Sequence, residues 1–250
     1  MNFFDRYING EDGRSVYSDI YDLGQEAFSD KYFDDVQSVL TETFNRVAFN
    51  LEIIFLELKN INYAFKTEFQ FNSERPLLRS LLDTDVLLVK LNNAISDFGQ
   101  IPLSLKLFYK IVGSCNFAWD YDSRPEMFWE CADPIQINSV DDLVNYVSGD
   151  DWTEYLSEIL EDDNSQLPYL ELAADYFHKD NISGGPPYSI HLTKEPSIDS
   201  LFLNEANETT FINYLRICME NCGFSRITEP EYGNDYQEFF EKVKPRLKMI

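Results

Sequence analysis

The stretch "IPLSLKLFYKIVGSCNF", Ile101 to Phe117, decides how this 250-residue chain is read. Its first half sets Leu105, Phe108, Tyr109 and Val112 on one face at helical spacing, and Pro102 suits a first helical turn because its φ is already fixed near the helical value. Gly113 then ends the helix, since glycine enters the left-handed region without a Cβ penalty. Directly beyond it, "SCNFAWDY" reads as a strand. A helix that a single glycine hands straight to a strand is the unit around which the other elements are placed.

Toward the N-terminus, Phe33, Val36, Leu40, Phe44, Val47, Leu51, Ile54 and Leu58 recur at spacings of three and four. That period predicts a long amphipathic helix with a break near Asn50. "INYAFKTEFQF" alternates Tyr63, Phe65, Phe69 and Phe71 with polar residues, as a strand does. A further helix is expected from Asp83 or Asp85, burying Val86, Val89, Ile95 and Phe98 and stopping at Gly99. The first thirty residues show no period and read as an N-terminal arm.

Toward the C-terminus, "DPIQIN" is expected as a strand that ends at Ser139, the N-cap of a short helix "VDDLVNYV". "LPYLELAADYF", "PYSIHL" and "SLFLNE" read as three more short strands. Thr209 or Thr210 caps the helix in "TTFINYLRICMENCGF", and a last helix ends "EKVKPRLKMI". Helices early and late with strands between them predict an α+β fold, a central antiparallel or mixed sheet flanked by helices. Residues 1–75 are expected as an arm and helical region packing on an α+β domain that spans 76–250 and carries the C-terminal helix.

Forty-four acidic and twenty basic residues leave a formal charge of −24. Such a surface repels nucleic-acid phosphates and anionic lipid and attracts basic partners, so neither nucleic acid nor membrane is expected as a ligand. The opening "MNFFDRYINGEDG" has no basic segment followed by an apolar one, and runs such as "IIFLEL" are too short to span a bilayer. A cytoplasmic location follows as the expectation. Cys218 and Cys222 continue the apolar stripe of Phe211, Tyr214 and Leu215, which marks them as buried, reduced thiols and not as half of a metal site. No cofactor or metal is expected.

Four segments together, "IPLSLKLFYKIVGSCNF", "DPIQI", "YLELAADYFHKDNISGGPPYSIHL" and "FLNEANETTFINYLRICMENCGF", resemble the SUKH superfamily. This is the cell-wall-synthesis-regulator-like group that includes many bacterial toxin-immunity proteins. The resemblance runs from Ile101 to Phe224. The chain departs from the family pattern at Ser114, where a second glycine is frequent, and at Asn221-Cys222-Gly223-Phe224, where aromatic-Gly-Gly-Phe is frequent. The resemblance implies a SUKH-like α+β domain that binds protein partners, and it brings no catalytic residues with it.

Two candidate sites remain. Asp175, His178 and His191 surround a Gly-Gly-Pro-Pro turn and could form a metal triad or an acid–base set. Against this stands a plain hairpin in which Gly184 and Gly185 supply unusual dihedrals and Pro186 and Pro187 stiffen the turn. The second candidate is charge. Fourteen acids and one base, Arg124, lie between Asp120 and Asp163, interleaved with Trp119, Tyr121, Trp129, Tyr146, Trp152 and Tyr155. Carboxylates that steer and aromatics that anchor make a protein-recognition surface. The expected contact residues are Trp119, Tyr121, Trp129, Asp141, Asp142, Asp150, Asp151, Trp152, Tyr155, Asp162 and Asp163. The function expected from charge and resemblance is a non-catalytic immunity-type protein that neutralises a basic, nuclease-like toxin. The alternatives are a SUKH-like regulatory scaffold for an endogenous protein and a hydrolase using Asp175, His178 and His191.

Overall fold

The structure, a computed structural model, describes residues 2–66, 71, 74–125, 129–163, 165–227 and 233–250. Its spine follows directly from the long apolar stripe. Helix α3, Phe33–Asn60, buries Val36, Leu40, Phe44, Val47, Leu51, Ile54 and Leu58 along one face. The break expected near Asn50 does not occur. The buried Asn50 amide accepts from the Lys248 N–H and donates to the Lys248 carbonyl, each at 2.8 Å, so a polar interruption of the stripe becomes the seat of the C-terminal segment.

The N-terminal arm is helical too. Helices α1, Phe3–Ile8, and α2, Gly13–Asp22, fold back on α3. Asp35 of α3 closes the start of α1 by accepting from the Phe3 and Phe4 amides at 2.7 and 3.0 Å. A buried trio then fixes the layer, with the Thr43 hydroxyl 2.8 Å from Tyr17 and 2.9 Å from Tyr7. Helices of six and ten residues are too short for periodicity to announce them, and these are held by tertiary contacts.

Helices α4, Thr84–Ala94, and α5, Leu103–Ile111, pack against each other, and α5 crosses α3. Here the expected phase of α4 is corrected. Val86 and Val89 are 55% and 59% exposed, while Leu87, Leu88 and Leu91 are buried. The run "DVLLVKL" is apolar on both sides, and packing against α6, Val140–Val147, selects the leucine face.

Among the described residues, six short strands form two antiparallel sheets: β1, Leu77–Leu78, with β2, Ser114–Asn116, and β3, Gln136–Ile137; then β4, Tyr169–Ala173, with β5, Tyr188–His191, and β6, Phe202–Leu203. The Asn138 amide donates to the Leu172 carbonyl at 2.8 Å and links one sheet to the next. The fold is α+β, as the element order predicts. "SCNFAWDY" contracts to β2 plus a single bridge from Trp119 to Phe65, and Phe69 of the expected neighbouring strand lies outside the described residues. Helix α7, Asp150–Asp162, has no counterpart in the sequence reading.

Two helices end alike. At the close of α5 the Gly113 amide donates to the Phe108 carbonyl at 3.0 Å with φ at +98°; at the close of α9, Phe211–Glu220, Gly223 does the same to Cys218 at 2.7 Å with φ at +103°. Ser114 sits in an ordinary strand, so nothing there requires glycine. Cys222 adopts φ of +53°, a conformation that glycine takes freely and a thiol-bearing residue takes under strain. The N-terminus of α9 is capped by Asp199, which accepts from the Ile212 amide at 3.1 Å, from Ser104 at 2.8 Å and from Tyr21 at 3.1 Å. Thr210 occupies the N-cap position and makes no capping bond. Burial raises the Asp199 carboxyl above its ordinary range.

One core runs from Tyr7 to Val243, with Cys115, Cys218 and Cys222 buried in it as free thiols. Among the described residues no helix is long and apolar enough to cross a membrane. Helix α10, Gly233–Val243, is tied to α3 through Glu57, which meets Lys242 at 2.6 Å and also Arg246. The Lys242 hydrogen bond, then Asn60 and Arg246, hold the Glu57 carboxyl down at about 2. A carboxyl lowered in the fold stabilises above its ordinary pKa and stops doing so as pH falls through the lowered one. Protection of the α10 amides, taken relative to their intrinsic exchange rate at each pH, is therefore expected to fall between about pH 4.5 and 2, and Glu57→Gln to show that lower protection already at neutral pH. Identical α10 protection in both proteins at pH 7 would contradict this.

Candidate protein-binding surface

The two histidines do not meet. Asp175 is the N-cap of helix α8, Tyr176–Lys179, accepting from the Phe177 amide at 2.9 Å, and its second oxygen pairs with Nδ1 of the half-exposed His178. His191 lies on β5 opposite Tyr169 of β4. No hydrogen bond or ion pair joins His191 to Asp175 or His178 among the described residues, and none of their His, Cys, Asp and Glu side chains cluster in threes as metal ligands. The expected dihedral role of Gly184 and Gly185 is corrected, since neither lies in the left-handed region. Gly184 is needed for space, as a Cβ there would come 2.4 Å from Asp175 Oδ1.

Beneath this turn sits a buried ion pair. Lys179 Nζ meets Asp133 Oδ1 at 2.5 Å with both side chains wholly buried. Asp133 Oδ2 accepts from the Tyr188 hydroxyl at 3.0 Å and from Ser225. The Asp175–Leu192 stretch is thus a structural junction of α8, β5 and the segment after α9.

The three tryptophans are corrected in the same way. Trp119 is 4% exposed and edge-on to Tyr63 at 4.8 Å; Trp129 is fully buried against Phe224, Tyr236 and Phe239 at 5.1–5.5 Å; Trp152 is 5% exposed and edge-on to Phe98 at 5.3 Å. Large apolar rings surrounded by other aromatics are core, whatever charge flanks them in sequence. Tyr121 is half-buried and packs against the same core. None of the three tryptophans can anchor a partner on this face.

The carboxylates divide. Asp141 and Asp142 are half-buried in the first turn of α6, where the Ser139 hydroxyl lies 2.5 and 2.7 Å from them. They serve the helix terminus, and desolvation raises the Asp142 carboxyl. Asp163 closes α7 by accepting from Ser165 and Gln166. The Asp150 side chain lies outside the described residues. Asp151, Glu154, Glu158, Glu161 and Asp162 remain, all exposed on α7 with Tyr155, which is 52% exposed, among them.

Tyr155 is not isolated. Burial pushes the Tyr169 phenol up to about 12, and neighbouring Tyr155 and Glu171 add to the rise. The Tyr146 hydroxyl, on a ring 45% exposed, donates to Glu171 Oε2 at 3.0 Å. Tyr169, Glu171 and His191 share the outer face of the β4–β5 pair, opposite the buried Leu170, Leu172 and Ile190. The result is a continuous surface of Tyr146, Tyr155, Tyr169 and His191 bordered by the carboxylates of α7 and Glu171. Tyr169 and Glu171 fall outside the acidic window and were missed, although the alternation in "YLELA" places them together on the outer face.

No protein-family model, curated protein or solved structure matches the chain.

Proposed function

We propose that this chain is a non-catalytic, immunity-type protein that binds a basic, nuclease-like toxin in the cytoplasm and occludes it. The observation that carries the reading is the tyrosine surface of α6, α7 and β4–β5 with its carboxylate border. Exposed tyrosines give large, rigid, amphipathic contacts at small entropic cost, and they are enriched among residues that dominate binding energy. The α7 carboxylates steer a basic partner toward them. An enzyme acting on nucleic acid presents a positive cleft of matching sign. The resemblance to SUKH immunity proteins supports the same reading.

The test is association kinetics with the purified product of the gene immediately upstream, at several ionic strengths. Association above roughly 10⁶ M⁻¹s⁻¹ at low salt is expected, falling steeply as salt screens the exposed charges. Neutralising Asp151, Glu154, Glu158 and Asp162 together should slow association and leave dissociation nearly unchanged. Tyr155→Ala should do the reverse, weakening binding by about 2 kcal/mol. A salt-independent association rate, or full binding by both variants, overturns the assignment of this surface. Failure of the chain to protect cells that express the toxin overturns the immunity reading.

A further inference from the structure

Helix α4 is apolar on two sides, and the fold covers only one of them. Leu87, Leu88 and Leu91 are buried against the core. Leu82, Val86, Val89 and Asn93 follow one another at spacings of four, three and four, and all are exposed. That spacing sets them in one row along the outer side of the helix, with Leu82 standing just ahead of its first turn. Leu81, exposed as well, extends the apolar surface at the same end. Apolar side chains scattered singly over a surface need no explanation, whereas a contiguous row of them marks a contact site.

Charge beside the row selects what covers it. On one flank Asp85 is already matched by Lys110 of α5 at 2.6 Å. On the other lie Asp83 and Lys90, both exposed and neither in an ion pair among the described residues; Asp83 holds the N-cap position without making a capping bond. Seven residues of helix span about 10 Å, so these two cannot meet within one chain. They are, however, complementary to the same pair turned end for end. About a two-fold axis at Val86, Lys90 meets Asp83 of the second copy and Asp83 meets its Lys90, while Val89 lies against its Leu82. Each of these residues is three or four positions from Val86, so both kinds of contact close in a single register. With two acids and two bases the face is balanced, in a chain whose formal charge is −24. A basic partner gains no steering here, and two copies that repel elsewhere can approach where charge cancels.

We propose that the outer face of α4 is a self-association surface, on which a second copy of this chain packs its own α4 antiparallel across a two-fold axis at Val86. An interface built on one short helix is small, which corresponds to a reversible dimer with a Kd of about 1–100 μM. The face shares no residue with the tyrosine surface, and the dimer does not depend on the immunity reading.

The experiment is sedimentation velocity of the full chain from about 1 to 500 μM, a range that brackets this Kd. A monomer–dimer equilibrium is expected that strengthens as salt rises to about 0.3 M, because salt screens the repulsion between two acidic chains. That trend is opposite to the one expected for a basic partner. Val86→Glu sets two carboxylates face to face on the axis and should weaken dimerisation roughly a hundredfold. Asp83→Lys and Lys90→Asp should each weaken it roughly threefold or more, and the double variant Asp83→Lys/Lys90→Asp should return it to the parent level. Only pairing between copies gives that rescue, and all three positions are exposed, so the variants keep the parent fold. The proposal is overturned by a chain that stays monomeric throughout, by a dimer that Val86→Glu leaves intact, or by single reversals that the double variant does not rescue. A monomeric chain whose binding of a basic partner is abolished by Val86→Glu would assign the face to that partner and overturn it equally.

Discussion

Asp133→Ala is expected to lower the unfolding free energy by about 3–5 kcal/mol, the usual cost of removing one partner from a buried ion pair. The carboxylate is shared by three groups with no access to water. Lys179 Nζ lies 2.5 Å away, and the Tyr188 and Ser225 hydroxyls meet the second oxygen. Truncation leaves an ammonium with fully buried surroundings and orphans two hydroxyl donors, each of which adds its own desolvation penalty. The backbone of Asp133 is itself in the left-handed region at φ of +57°, where Asp is tolerated better than Ala, so the change is unfavourable locally as well. Lys179→Met is expected to cost somewhat less, because the carboxylate keeps its two hydroxyls. The double variant should lose less than the sum of the single losses, since it leaves no unpaired charge. Urea unfolding of the four proteins measures the cycle. A loss under about 1 kcal/mol for Asp133→Ala, the range of an exposed pair, would show that water reaches the pair. Tyr188 points inward from β5 while His191 points outward, so the folded fraction of these variants should bind a partner at the parent rate.

How far such features were legible depends on whether they are written in local spacing. The stripe of α3, the end of α5 at Gly113 and the alternation of β5 are local signals and appear as read, whereas the strand expected over "LPYLELAADYF" stops at Ala173, and Asp175 caps the helix Tyr176–Lys179 in its place. The phase of α4 is not local, since "DVLLVKL" offers two apolar faces and only the position of α6 chooses between them. Lys179 in a core is likewise invisible, because its partner is 46 residues away and lysine in a polar stretch reads as solvated. The acidic window illustrates the same limit for the candidate site. Its sequence shows charge and aromatics side by side, but helices and strands send the two to opposite sides. Trp119, Trp129 and Trp152 therefore turn inward, and the exposed tyrosines are assembled from α6, α7 and a strand beyond the window.

Gly113→Ala is expected to be comparably severe, at about 3–5 kcal/mol, for two reasons that can be separated. The first is conformational: at φ of +98° a Cβ meets its own backbone, a cost of roughly 1–2 kcal/mol wherever it occurs. The second is specific to this place. A Cβ on Gly113 would lie 2.2 Å from the Leu78 carbonyl oxygen, 2.6 Å from the Arg79 carbonyl carbon and 2.7 Å from the Ser80 nitrogen. All three are backbone atoms, so no rotamer change relieves the clash. Either the turn opens or β1 moves off β2, where Leu78 pairs with Ser114. Gly10 separates the two contributions. It has φ of +89° with nothing within 4 Å of its Cβ position, so Gly10→Ala should cost only the conformational part. Gly149, with open space and no left-handed φ, meets no clash, and alanine there should cost only the modest preference for glycine at the N-cap of α7. The difference between Gly113→Ala and Gly10→Ala in urea unfolding then measures the steric contribution. Exchange of the Asn116 amide, which donates to the Pro76 carbonyl at 2.8 Å, reports whether β1 has moved. Equal losses at Gly113 and Gly10, with Asn116 still protected, would mean that the close approach of this helix end to β1 is not what holds the first sheet to α5.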